Sequence, residues 1–125
     1  LDYQDIVEMH QRAGEYTRAH PGQLFRMPTV AFFCAAMPRA VFETVGGLDE
    51  DFGIGFFEDD DYCRRVSYAG WHVGCAHDVF VHHHLSASFD QLKSEARQAL
   101  FEKNKAIYEA KWGPWVPHVY RNAPR

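Results

Sequence analysis

Residues 45–65 read VGGLDEDFGIGFFEDDDYCRR, and the organisation of the chain follows from how that stretch divides. Gly46-Gly47 stops a short helix expected over Arg39–Val45, which Pro38 opens because its missing N–H costs nothing at a helix start. Residues 48–57 then read as a glycine-bearing loop with acids and exposed-looking aromatics. Helix resumes at Glu58 and runs to Ala69, with Tyr62, Val66 and Ala69 as its apolar seam and Gly70 as its cap. Four consecutive acids, Glu58-Asp59-Asp60-Asp61, therefore fall at a helix N-terminus, where the macrodipole and free N–H groups offset their repulsion. One consequence is a capped helix start with a solvated acidic face, Asp61 pairing with Arg65 four residues on. The other is chemical. Phe56-Phe57 would stand as an apolar wall beside the acids, and a carboxylate among apolar groups and like charges has its pKa raised. Such a group can take a proton from a hydroxyl near neutral pH.

Working outward, residues 29–36 (TVAFFCAA) form a continuous apolar run with β-branched and aromatic members. It reads as a central strand buried on both faces. Before it, residues 2–19 show helical spacing through Tyr3, Ile6, Val7, His10, Ala13 and Tyr16, and His20-Pro21-Gly22 ends that helix. After the acidic helix, residues 71–75 and 79–83 look like two short strands. Residues 89–112 read as one long amphipathic helix, its seam running through Leu92, Ala96, Leu100, Lys103, Ala106, Ile107 and Ala110. Gly113-Pro114 terminates it. The expected class is α/β: a small mixed sheet flanked by helices. Its parts are an N-terminal helix and linker over 1–28, a motif-bearing core over 29–88, a long helix over 89–112 and a tail over 113–125.

With 125 residues the chain suits one domain, and its ten Phe and three Trp supply bulky core material. A net charge of −4 and the absence of a basic stripe argue against nucleic acid as a partner. No apolar stretch approaches the roughly 18 residues of a membrane span. Cys34, Cys63 and Cys75 lie in apolar runs without a Cys-x-x-Cys pair, as expected of buried free thiols in a reducing compartment.

The motifs keep an order that resembles the acceptor-side, C-terminal half of a family 2 glycosyltransferase of the GT-A type. Val45-Gly46-Gly47-Leu48-Asp49-Glu50-Asp51-Phe52 is similar to that family's Gly-Gly-aromatic/Leu-Asp-Glu-x-Phe segment. Glu58-Asp59-Asp60-Asp61-Tyr62-Cys63-Arg64-Arg65 is similar to its Glu-Asp-x-Asp-Leu-x-x-Arg helix, and Ala69-Gly70-Trp71 to the small-Gly-aromatic turn beyond. Lys111-Trp112 resembles a frequent ending. The four acids also look like the acidic segment of the beta-1,4-galactosyltransferases, a related GT-A family.

The resemblance implies a partial GT-A (nucleotide-diphospho-sugar transferase) fold and a set of roles. Asp59 takes the place of the catalytic base of inverting enzymes, deprotonating an acceptor hydroxyl as it attacks the anomeric carbon of a nucleotide-sugar donor. Glu58, Asp60 and Asp61 would orient a glycan or other hydroxyl acceptor or brace the loop. Asp49 and Glu50 would touch the acceptor, or serve only as a turn with a helix cap. In many GT-A enzymes a histidine one strand beyond the acidic helix completes a divalent-metal site. His83 looks like that residue, with His84 as the adjacent alternative, since one residue of register decides which faces inward. The ion would be Mn²⁺, which suits imidazole, or Mg²⁺.

No Asp-x-Asp precedes Gly46, and residues 1–30 contain no βαβ unit. The nucleotide pocket would thus belong to a preceding half, and the chain to a longer enzyme or a degenerate relative. Such a piece would be inactive alone and prone to self-association through an exposed sheet edge. The parent would work in the cytoplasm or at the inner membrane face. Two other classes compete: a noncatalytic carbohydrate-binding module using Trp71, Phe56, Phe57 and Trp115, and a metal-dependent hydrolase built on the histidines and acids.

Overall fold

The helix over Ile6–Ala19 (α1) starts where Asp5 caps it, its carboxylate accepting the N–H groups of Val7 and Glu8 at 2.9 Å each. It stops at His20, ahead of Pro21-Gly22. None of its side chains is buried, and Ile6 and Val7 face solvent, so the expected seam is not packed into a core. Contacts near its end hold it instead. The Tyr16 hydroxyl lies 2.9 Å from His77 Nδ1, and the His20 ring packs 4.3 Å from the rings of both Tyr16 and His77.

A computed structural model describes residues 3–83 and 94–118. The α/β content of the described residues is four α-helices and one sheet of two antiparallel strands. Leu24–Arg26 (β1) pairs with Gly74–Ala76 (β2), Phe25 standing opposite Cys75. Gly74 suits this register because a Cβ there would lie 3.0 Å from the Phe25 carbonyl oxygen.

This corrects the expected sheet on three counts. The pairing is antiparallel and not mixed, one strand lies in what reads as a linker, and residues 29–36 and 79–83 form no strand. The run 29–36 follows a helix instead. Phe32 packs edge-on against Tyr62, ring centroids 5.4 Å apart, while Phe33 lies 4.4 Å from the ring of His83. Strand propensity describes fit to a pleated surface, and here adjacent side chains are drawn to different partners.

Arg39–Val45 (α2) and Glu58–Tyr68 (α3) form as read, α2 ending at Gly46 with φ 84°, where glycine carries no Cβ penalty. Val41 of α2 packs with Tyr62 and Val66 of α3, joined by Phe32, Val45 and Val73. The helix over Ser94–Trp112 (α4) builds a second core, in which Tyr108 meets Phe52 and Phe57 with Phe56, Phe101, Ile107, Trp112 and Trp115 around them. The first five residues of the expected long helix, 89–93, lie outside the described residues.

The buried face of α4 differs from the expected seam. Ala96, Lys103, Ala106 and Ala110 are exposed, whereas Asn104 and Tyr108 are buried. A polar anchor selects the face, so a seam drawn on hydrophobicity misses it. The thiols also depart from expectation: Cys63 is buried, but Cys34 and Cys75 are exposed. Among the described residues no helix is long and apolar enough to cross a membrane.

Candidate functional site: a braced acidic turn

The loop before α3 carries the most unusual backbone among the described residues. Phe56 (φ 68°) and Phe57 (φ 72°) are consecutive non-glycine residues in the left-handed region. For bulky side chains this conformation costs roughly 1–2 kcal/mol per residue and persists only where the surroundings impose it. Here Asn104 and the second core impose it. The Asn104 Nδ2 group donates to the carbonyls of Phe52 and Gly55 at 2.6 Å each and of Phe56 at 3.2 Å. Two amide hydrogens thus serve three acceptors. The Phe57 ring is buried against Phe101, Tyr108 and Trp115. The aromatics of this loop are therefore core, not surface.

Asn104→Ala would strand three loop carbonyls and leave a cavity, at an expected cost of about 2–4 kcal/mol. Urea denaturation checks this, and a loss below about 1 kcal/mol would show that the loop holds its shape without Asn104. Asn104→Asp should be worse at neutral pH, because a carboxylate would face three carbonyl oxygens.

The chain leaves Phe57 directly into α3, and the acids then diverge in role. Asp61 is fully buried. Its Oδ2 accepts Arg65 Nε at 2.8 Å, and its Oδ1 accepts Trp112 Nε1 at 2.9 Å and Lys111 Nζ at 2.5 Å. The expected pair with Arg65 is present, but on the inside of the molecule and not on a solvated face. Arg65 also donates to the carbonyls of Val45 and Gly47, each at 2.9 Å, and the Tyr62 hydroxyl donates to the Gly46 carbonyl at 3.0 Å. The Gly-Gly turn and the acidic helix are thereby one unit.

Lys111 reaches Asp49 as well, at 2.7 Å. Asp49 caps the 3-10 turn Glu50–Phe52, its carboxylate accepting the Asp51 N–H at 3.0 Å, and Glu50 is exposed. The Lys111 bond, with that N–H, holds Asp49 below the usual carboxylate range. Burial pulls Lys111 down, but its bonds to Asp49 and Asp61 outweigh burial and raise it.

Glu58 and Asp59 behave differently. Both are half-buried beside the aromatic loop, and both are pushed above the ordinary carboxylate range. Desolvation is the leading cause in each, and the charge of Asp60 adds to it. Asp59 Oδ1 accepts the Asp60 N–H at 2.9 Å, whereas Glu58 Oε2 is buried with no hydrogen-bond partner among the described residues. Asp60 is buried and pairs with His118 Nε2 at 2.8 Å. Glu58 and Asp59 are thus the carboxyls whose neutral form their surroundings favour.

His83 is exposed, its ring stacked on Phe33 with an interplanar angle of 16°, and His84 lies outside the described residues. His82 pairs with the Tyr3 hydroxyl. Among the described residues no group of three or more His, Cys, Asp or Glu side chains is placed to hold a metal ion. The site therefore unites Glu58, Asp59, Asp60 and Asp61 with Asp49 at its foot, and gives His83 a separate contact. Asn104, Lys111, Trp115 and His118 enter it without having been singled out for it. Nothing in the local sequence marks the first, since Asn104 stands between Lys103 and Lys105 in a helix rich in polar residues.

The molecule is thus an α/β protein whose acidic helix start is braced by buried polar bonds. No family profile matches the chain, and no solved structure matches it. It is similar to the uncharacterized protein y4gI of Sinorhizobium fredii, with 28% identity over 102 residues. The match takes in 82% of this chain and 11% of that protein, so the chain spans about a tenth of the relative's length.

Proposed function

We propose that this chain is the acceptor-side part of a GT-A-type glycosyltransferase, with Asp59 as the base. The observation that carries the proposal is the pair of half-buried carboxyls of raised pKa, Glu58 and Asp59, at the start of α3 directly behind a strained loop. Backbone strain of this kind concentrates at functional sites, and a raised carboxylate pKa suits proton abstraction near neutral pH. In the reaction, Asp59 takes the proton of an acceptor hydroxyl while that oxygen bonds to the anomeric carbon. The bond from that carbon to the diphosphate breaks, and the nucleoside diphosphate leaves with the electron pair. Glu58, half-buried next to Asp59, would orient the acceptor through a second hydroxyl. Asp61 braces the loop from behind.

The donor pocket and most of any Mn²⁺ or Mg²⁺ site would belong to the preceding half of the parent. His83 is the described residue offered to such an ion. The described residues do not themselves assemble a metal site. The parent would work in the cytoplasm or at the inner membrane face. The packing of Phe57 and Trp115 against each other, ring centroids 5.3 Å apart, takes away the joint aromatic platform that a carbohydrate-binding module would need.

Two measurements test the proposal. UDP-, GDP- and dTDP-sugars titrated with Mn²⁺ into the 125-residue chain should bind weakly in calorimetry. Tight binding would put the donor pocket inside this chain and overturn the division of labour. The full-length parent, given the same donors and a hydroxyl acceptor, should release nucleoside diphosphate.

A further inference from the structure

The chain beyond α4 returns to the acidic turn by a defined path. Gly113, at φ 83°, turns it, and its N–H donates to the Glu109 carbonyl at 2.9 Å. The Trp115 N–H donates to Glu109 Oε1 at 3.0 Å. The Trp115 ring then rests 5.3 Å from Phe57 and 5.9 Å from His118, and His118 Nε2 reaches Asp60 Oδ1 at 2.8 Å. A segment that reads as a structureless tail thus delivers an imidazole to a buried carboxylate beside Asp59.

We propose that His118 is a positioning residue of the acidic site: it engages the Asp60 carboxylate and so leaves Asp59 as the carboxylate that exchanges a proton with the acceptor. The inference rests on the transferase reading for its consequence, but its physical content is a coupling among three side chains. Without a partner on Asp60, two adjacent carboxylates would stand side by side with no bond to tell them apart. With His118 in place, Asp60 has a partner of its own. The charges around Asp59 act in both directions. Asp60 raises it and His118 lowers it. Glu58 precedes it on α3, and Cys63, a turn onward, has its thiol pushed up by burial and by these same acids. Asp61 is turned to Arg65 and Lys111 and is spoken for.

The test follows the Asp59 carboxyl by carbon NMR across a pH titration of the 125-residue chain. Near Asp59 the Asp60 charge raises proton affinity and His118 lowers it. His118→Gln and His118→Asn should therefore move the Asp59 midpoint up, and Asp60→Asn should move it down. His118 is 34% exposed, so its variants should retain the fold and decide the matter even if Asp60→Asn does not fold. An Asp59 midpoint unmoved in both His118 variants overturns the inference. No sugar enters this experiment, so its failure is distinct from failure of the transferase assignment, which turnover of the Asp59 variant decides.

Discussion

Replacing Asp61 with alanine is expected to destabilise the chain by about 3–5 kcal/mol, the range for removing one member of a buried charge network. The reason is the number of groups that converge on Asp61. Arg65, Lys111 and Trp112 Nε1 all terminate on its two oxygens, and the residue has no solvent exposure with which water could replace it. Lys111 would keep Asp49, and Arg65 would keep the carbonyls of Val45 and Gly47, so the damage centres on Trp112 and the α3–α4 contact. Asp61→Asn keeps the shape and one acceptor and should cost less than alanine. Urea midpoints of the two variants check the order. A loss under about 1 kcal/mol for alanine, the figure for a surface pair, would mean that the network is ornamental and that packing of Phe52, Phe57 and Tyr108 holds the loop unaided.

Asp59→Asn in the full-length parent should reduce turnover by about 10²–10⁴-fold, the usual worth of a general base, with little effect on donor binding. The same change makes a second, opposite prediction for stability. The folded-state pKa of Asp59 lies above its ordinary 3.8, because burial and Asp60 oppose its charge. Between 3.8 and the folded value the folded chain binds more protons than the unfolded one. Stability therefore declines as pH rises through that window and stays reduced above it. Asparagine carries no charge and escapes the decline. The variant chain should melt higher than the unmodified one near neutral pH and alike below the window. Loss of activity with gain of stability is the mark of a residue kept for chemistry at the expense of the fold. Near-normal turnover removes Asp59 from the role of base, and a lower melting temperature at neutral pH would show it to be structural.

Local signals were enough for the helices. His20-Pro21-Gly22 after α1, Pro38 ahead of α2, Gly46 after it and Gly113 after α4 act within a turn of their own position, so their effects are written in neighbouring residues. The Asp61–Arg65 pair was legible for the same reason, being four apart on one helix. The sheet was legible only in part. The short strand read over 71–75 overlaps β2, whereas residues 29–36 carry strand-forming side chains without a partner strand at the right place, and β1 is three residues long and lacks that signature.

The acids were visible in sequence as a set of four; their division of labour was not. By itself the amino-acid order fixed a charged helix start behind a glycine-rich loop, because helix termini and turns are governed by short-range sterics and hydrogen bonding. Only the tertiary structure decided that Asp61 is a buried brace, that Asp60 belongs to His118, and that Glu58 and Asp59 are left desolvated beside Phe57. Those outcomes depend on Asn104, Lys111, Trp112 and His118, all more than forty residues away, which folding alone brings to the acidic turn. Proton affinity is a property of surroundings, and the surroundings of these carboxyls are assembled by long-range packing.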